Sequence, residues 1–325
     1  MNKIRVIVDS MSLQGDGNIA VSLTATNNQP LPAWEAGAHI DVYLPNHIIR
    51  QYSLVGDCHD LFTYTVCIKK DLQSRGGSRF IHEQLRVGHE LDISQPRNIF
   101  RLQDAAEYYL IAGGIGITPI LAMAEHLEQQ QKPFHVLYYI KHQAQIAFKK
   151  RLQQQFQHGD VQILCSDAGQ SLREDIAEIL KAFHKNQQVY LCGPQGFMDS
   201  CIKKLLAHGW TRENIFLEAF APVAPAHLEH SGIENAETFQ VKLNSTGQIF
   251  TVPQEKSIAT VLIDNQINVP LSCEMGMCGA CLTRVIDGEV DHQDTVQTED
   301  EKSASQQYIA LCCSRAKSPM LEIDL

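Results

Sequence analysis

The chain changes its hydrophobic rhythm twice along its 325 residues. Up to about residue 102, short runs of β-branched and aromatic residues dominate, as in Ile4–Val8, Ile40–Leu44 and Phe62–Ile68. Turn clusters part them: Gly15-Asp16-Gly17, Asn27-Asn28-Gln29-Pro30 and Leu44-Pro45-Asn46. Many short strands with such spacing predict a sandwich or barrel. From about 103 to 222 the pattern turns to strand–helix alternation. Strands are expected at Tyr108–Ala112, Phe134–Ile140, Val161–Cys165 and Gln188–Cys192, and helices at Ile120–Gln131, Ile146–Phe156, Ile176–Phe183 and Phe197–His208. Alternation of this kind predicts a parallel sheet covered on both faces. Residues 221 to about 236 hold two prolines and no periodicity, so they read as a linker. Beyond it, Phe239–Leu243 and Ile249–Val252 flank a turn at Asn244–Gly247 and predict a hairpin.

The expected domains are therefore 1–102, 103–222 and 237–325, with 223–236 as the linker. A formal charge of −10 argues against nucleic acid or an anionic membrane as partner. The first residues carry no long apolar run, and no 18-residue apolar stretch could span a bilayer. Of the ten cysteines, Cys58, Cys67, Cys165, Cys192 and Cys201 are scattered singly, and the other five cluster near the C-terminus. That distribution fits a cytoplasmic protein with a metal centre better than a disulfide framework.

The cluster of thiols carries the sharpest chemistry. Cys273, Cys278 and Cys281 fall in Cys-Glu-Met-Gly-Met-Cys-Gly-Ala-Cys, and a fourth thiol follows at Cys312 or Cys313. This is the spacing of a plant-type [2Fe–2S] centre. Gly276, Gly279 and Ala280 let the backbone wrap closely around inorganic sulfide. A structural zinc site would show a second closely spaced cysteine pair, which is missing. Cys312 is the favoured fourth ligand, with Cys313 as an apolar filler. Residues 237–325 also hold 13 acidic against 6 basic residues. Two readings of this charge stand side by side: a solvated face, and a docking surface for a basic electron acceptor.

Two further sets of motifs precede the thiols. Ala112-Gly113-Gly114-Ile115-Gly116-Ile117-Thr118-Pro119 follows a strand and opens a helix, where glycines admit a pyrophosphate and unpaired N–H groups face it. Thr118 is expected as the N-cap and Pro119 in the first turn. Cys192-Gly193-Pro194 ends another strand. Asp167, after the third strand, would accept from a ribose 2′-hydroxyl and repel a 2′-phosphate, which leans toward NADH. In the first region, Arg50-Gln51-Tyr52-Ser53 offers a phosphate partner, a stacking ring and a hydroxyl for a ring edge. Arg75-Gly76-Gly77-Ser78 precedes a helix expected at Arg79–Leu85 and suits an anion.

Taken in order, Arg-x-Tyr-Ser, Gly-Gly-Ser, Gly-Gly-Ile-Gly-Ile-Thr-Pro, Cys-Gly-Pro and the cysteine loop resemble the phthalate dioxygenase reductase family of the ferredoxin–NADP reductase superfamily. The segments 272–285 and 312–319 are most similar to vanillate demethylase reductase components. The resemblance implies a multidomain chain: a six-stranded antiparallel β-barrel flavin domain, an α/β parallel-sheet nucleotide domain and a β-grasp ferredoxin domain. It implies FMN held by Arg50, Tyr52, Ser53, Ile68 and Lys69, with its phosphate at Gly76, Gly77 and Ser78. Thr118 and Phe220 would approach the flavin. Gly113, Gly114, Pro119, Asp167, Cys192, Gly193 and Pro194 would line the NADH site. Cys273, Cys278, Cys281 and Cys312 would hold the [2Fe–2S] cluster.

A flavin accepts two electrons together and releases them singly, which joins NADH to a one-electron cluster. The expected function is the reductase component of a Rieske-type oxygenase or demethylase acting on an aromatic or similar small compound, with no side chain as acid or base. Two other readings are a stand-alone NADH-dependent reductase of small electron acceptors and a ferredoxin-type carrier with an inactive flavin half.

Overall fold

The computed structural model describes residues 3–45, 48–71, 76–172, 176–220, 238–271, 276, 279–294, 296–297 and 299–325. It divides into two compact units, Met1–Phe220 and Ala221–Leu325.

The first unit begins with β1 (Ile4–Leu13), β2 (Asn18–Ala25), β3 (His39–Tyr43), β4 (Ile49–Val55), β5 (Tyr64–Lys69) and β6 (Glu90–Ile93), with helix α1 (Gly77–Glu83) between β5 and β6. They close into an antiparallel barrel in the order β1-β2-β5-β4-β3-β6. The register of β1 against β2 shifts between Val8 and Ser10, a bulge that helps the sheet curl. Closure leaves no free edge. The buried Asp41 carboxylate on β3 accepts from Arg97 at 2.7 Å and ties the chain after β6 back to the barrel.

A parallel sheet follows: β7 (Glu107–Gly113), β8 (Phe134–Ile140), β9 (Gly159–Cys165), β10 (Gln187–Gly193) and β11 (Ile215–Ala219), in the order β11-β10-β7-β8-β9. Its central strands are buried along nearly their whole length, which is why they read as continuous apolar runs. Helix α2 (Ile117–Gln129) packs on one face beside the barrel strand β4. Val6, Leu23, Ile40 and Leu54 of the barrel belong to the same apolar core as Ile120, Met123, Phe134 and Tyr138. The barrel and this face of the sheet are thus fused by one core. The opposite face has its own core around Ile111, Leu137, Leu191, Leu205 and Trp210.

Two expected helices are largely absent. In place of a helix over Ile146–Phe156 there is one turn, α3 (Lys149–Leu152). Phe148 sits at φ 54, and the amides before the turn bond elsewhere: Ala147 N–H to the Tyr138 hydroxyl and Phe148 N–H to Gln14 Oε1. In place of Ile176–Phe183 there is a 3-10 turn at Glu178–Leu180, because Ala177 is extended at ψ 142. Both Ile176 and Leu180 are still buried, so the apolar spacing reported burial rather than helix. The final helix of this unit, α4 (Gln195–Ala207), lies close to expectation.

The second unit holds β12 (Phe239–Leu243), β13 (Ile249–Val252), helix α5 (Ile258–Asp264), β14 (Leu282–Asp287), β15 (Val290–Asp291), β16 (Tyr308–Ala310), β17 (Arg315–Ala316) and β18 (Met320–Ile323). Its main sheet runs β13-β12-β18-β14-β16, with β12 and β18 parallel and the other pairs antiparallel. The sheet grips α5, whose Ile258, Ala259, Val261 and Leu262 pack with Val241, Leu243, Ile309 and Leu321. Ser257 caps α5 by accepting the Thr260 amide N–H at 3.1 Å. No helix among the described residues is long and apolar enough to cross a membrane.

Candidate cofactor sites

The parallel sheet dictates where a ligand can bind. From β7 the chain moves outward through β8 and β9, then returns to place β10 and β11 on the other side of β7. The crevice at such a reversal, beyond the carboxyl ends of the strands, is the natural ligand site of an open α/β sheet. Gly113–Gly116 leave the end of β7, and Cys192-Gly193-Pro194 the end of β10, so the two motifs meet there.

Glycine is required here for reasons that differ by position. A Cβ on Gly113 would stand 2.7 Å from the Phe197 ring, and one on Gly193 would stand 2.8 Å from the same ring. A Cβ on Gly116 would run into the Cys192 carbonyl. These three glycines therefore pack the two strand ends and α4 together. Gly114 is different: it holds φ 56 and faces open space. It is the position where backbone without a side chain leaves room for a ligand. Thr118 is not the N-cap. Gly116 is, and Thr118 lies buried in the first turn with its hydroxyl donating to the Ile115 carbonyl at 3.2 Å. Pro119 does occupy that first turn.

Asp167 lies in a 3-10 turn after β9, exposed and paired with the imidazole of His142. His142 follows β8, so the pair bridges the ends of adjacent strands. Nothing in the sequence marked His142, because its partner is 25 residues away.

In the barrel, Arg50 and Tyr52 share one face of β4. The Arg50 side chain crosses the start of α1, where a Cβ on Gly77 would stand 2.7 Å from its Cγ. Gly76 takes φ 103 as the N-cap of α1, and the Ser78 hydroxyl accepts the Asp71 amide N–H. Arg50, Gly76, Gly77 and Ser78 are thus gathered at one place that suits an anion. Arg75 lies outside the described residues. Ile68 is buried in β5 and Lys69 is exposed beside it. Phe220 closes the unit and is 42% exposed.

Ser53 makes the contact that sequence reasoning missed. Its hydroxyl donates to Glu218 Oε2 at 3.1 Å, joining β4 of the barrel to β11 of the sheet. Glu218 is buried beside Cys192, its register partner on β10. Burial pushes the Glu218 carboxyl up to about 8, against a smaller opposing effect of the Ser53 hydrogen bond. Burial, and next the Glu218 carboxylate, also pushes the Cys192 thiol well up. The available signal was a lone acidic residue in the apolar strand Ile215-Phe216-Leu217-Glu218-Ala219.

In the second unit, Cys273 and Cys278 lie outside the described residues. Of the remaining thiols, Cys312 lies beside Cys281 and Cys313 and near the Gly276 amide. Gly276 and Gly279 both hold φ 72, and a Cβ on Gly276 would run into Cys313 Sγ. This cradle of small residues around converging thiols fits an iron–sulfur cluster. The crevice with Gly114 fits a dinucleotide, and the Arg50–Ser78 group with Tyr52 fits a flavin.

Comparison with known proteins agrees. Residues 241–317 match the family model of the 2Fe-2S iron-sulfur cluster binding domain. Residues 94–215 match that of the dimethylamine monooxygenase subunit DmmA-like N-terminal domain. A vanillate O-demethylase oxidoreductase of Pseudomonas sp. (strain HR199 / DSM 7063) is 39% identical over 323 residues, 99% of this chain and 100% of that protein. The phthalate dioxygenase reductase of Burkholderia cepacia is 36% identical over 305 residues, 93% of this chain and 91% of its own. A solved phthalate dioxygenase reductase, described as a modular structure for electron transfer from pyridine nucleotides to [2Fe–2S], gives a TM-score of 0.71 at 33% identity, covering 100% of this chain and 98% of that one. Fold and sites together define an oxidoreductase that joins a pyridine nucleotide, a flavin and a [2Fe–2S] cluster in one chain. The chain belongs to the phthalate dioxygenase reductase family.

Proposed function

We propose that this chain is the reductase component of a Rieske-type oxygenase or demethylase, passing electrons from NADH through FMN and its [2Fe–2S] cluster to that oxygenase. The observation that carries the reading is the Ser53–Glu218 hydrogen bond, which sets the barrel strand of the flavin motif against the strand ends of the nucleotide crevice. Names of relatives support the partner: a phthalate 4,5-dioxygenase oxygenase reductase subunit of Pseudomonas putida is 36% identical over 300 residues. The domain scheme proposed is 1–102, 103–222 and 237–325, with 223–236 as linker. The cytoplasm is the proposed compartment, supported by a cysteine distribution of five scattered singly and five clustered near the C-terminus.

Arg50, Gly76, Gly77 and Ser78 would hold the FMN phosphate, and Tyr52, Ser53, Ile68, Lys69, Thr118 and Phe220 its ring and ribityl chain. Gly113, Gly114, Pro119, Asp167, Cys192, Gly193 and Pro194 would hold NADH. Cys273, Cys278, Cys281 and Cys312 would ligate the iron. Bound flavin supplies the conversion between a two-electron donor and a one-electron acceptor. The chain's own groups position and insulate. Glu218, held protonated at neutral pH, keeps a negative charge out of the buried crevice and fixes the Ser53 hydroxyl. Asp167, oriented by His142, would accept a ribose hydroxyl and repel a 2′-phosphate.

The test is anaerobic mixing of the purified protein with NADH and a purified Rieske-type oxygenase. Flavin and cluster absorption should bleach, and the Rieske signal of the oxygenase should follow. Reduction of ferricyanide with no electron reaching that oxygenase would favour a stand-alone reductase instead.

A further inference from the structure

One cluster of side chains lies outside all of these sites. Cys58 and His59 follow β4 in the barrel, and His126 stands near the end of α2. One ligand atom from each lies within 4.8 Å of the others, and Cys58 Sγ is 3.5 Å from His126 Nδ1. We propose that Cys58, His59 and His126 form a binding site for zinc, which would tie the loop after β4 to helix α2.

The distances decide between this and a casual cluster. Tetrahedral zinc with a sulfur at about 2.3 Å and a nitrogen at about 2.0–2.1 Å sets those two atoms roughly 3.6 Å apart. The Cys58–His126 pair already has that spacing, so metal entry needs little movement. A thiolate with two imidazoles suits zinc and excludes calcium and magnesium, which require oxygen ligands. His59 is exposed, which leaves a path for entry and a fourth position for water.

The surroundings support the three ligands. Asp57 Oδ1 accepts the His59 amide N–H at 2.9 Å and Gln129 Nε2 at 3.1 Å, so the loop is already tied to the end of α2. Gln130 lies 2.8 Å from His126 Nε2. With its amide turned end for end, its carbonyl would accept Nε2–H and leave the Nδ1 lone pair facing Cys58. Binding exchanges the Cys58 thiol proton for the metal and involves no oxidation.

Holoprotein should be dialysed against zinc, then against metal-free buffer, and its zinc and iron counted by mass spectrometry. Wild type should retain a single zinc that His59→Gln and Cys58→Ser lack at equal iron content, and zinc should raise its thermal midpoint. Because His59 is exposed, its replacement leaves the core intact, and zinc affinity should fall by more than about tenfold. Equal zinc in wild type and His59→Gln would overturn the proposal and leave a buried thiol–imidazole hydrogen bond. So would a midpoint that zinc does not move.

Discussion

The two compact units build their chemistry in opposite ways. In Ala221–Leu325 three of the four expected cluster ligands come from one nine-residue stretch, Cys273 to Cys281. In Met1–Phe220 the crevice is assembled from β4, β7, β10 and β11, and Ser53 and Glu218 are 165 residues apart. A short-loop site depends on its own thiols. A site built at strand ends depends on the packing that brings the strands together. The first should therefore fail all at once when a ligand is lost, and the second by degrees.

The largest effect tests that separation. Cys278→Ser should abolish the cluster's visible absorption and all electron delivery to the oxygenase, while NADH still bleaches the flavin. Loss of flavin reduction in the same variant would break the contrast between the units. Cys312→Ser and Cys313→Ser sharpen it. Cys312 contacts Cys281 and the Gly276 amide, so its loss should match Cys278→Ser. Cys313→Ser should retain the cluster, with iron content near wild type.

Glu218→Gln comes next. The carboxyl rises from its ordinary value of 4.5 to about 8 in the folded chain. The folded protein therefore holds a proton that the unfolded chain has lost across that window. Its stabilising effect is complete below about pH 4.5 and is lost as pH rises toward 8. The slope is at most roughly 1.4 kcal/mol per pH unit. Glutamine keeps the acceptor for Ser53 and cannot ionise, so denaturant midpoints of the variant should lose this slope. An unchanged slope would mean that Glu218 is not the titrating group.

This carboxyl also shows where the sequence stops being informative. The cluster loop was legible because its ligands keep fixed spacing along the chain. The strands Phe134–Ile140, Phe239–Leu243 and Ile249–Val252 were legible to the residue, because burial on a sheet imposes continuous or alternating apolar positions. Ile146–Phe156 was misread because Ile146, Ala147 and Phe156 are buried by a folded loop whose amides bond to Tyr138 and Gln14. Thr118 was misread as a cap because Gly116 can start the helix two residues earlier, against the end of β10. Glu218, His142 and the Cys58–His126 contact are pairings across elements, and no local pattern encodes them.

Gly116→Ala probes the strand-end packing itself. The backbone at φ −59 tolerates alanine, so conformational strain is not at issue. The added methyl would meet the Cys192 carbonyl and stand 2.9 Å from the Gly193 nitrogen. Backbone cannot swing aside as a side chain can, so β7 and β10 must part. A loss of about 1–3 kcal/mol is expected, with a raised KM for NADH and unaltered cluster absorption. A normal KM would show that the two motifs do not share one ligand.

The smallest effect belongs to the second unit. Ser257→Ala removes the hydroxyl that accepts the Thr260 amide at the start of α5. Helix α5 has only seven residues and is held chiefly by the apolar contacts of Ile258, Val261 and Leu262. The lost cap should therefore cost about 1 kcal/mol without moving the sheet or the thiols. Thermal bleaching of the cluster should begin a few degrees lower, while the pH profile governed by Glu218 stays as in wild type. A change in that profile would mean that the units are coupled more closely than their separate cores imply.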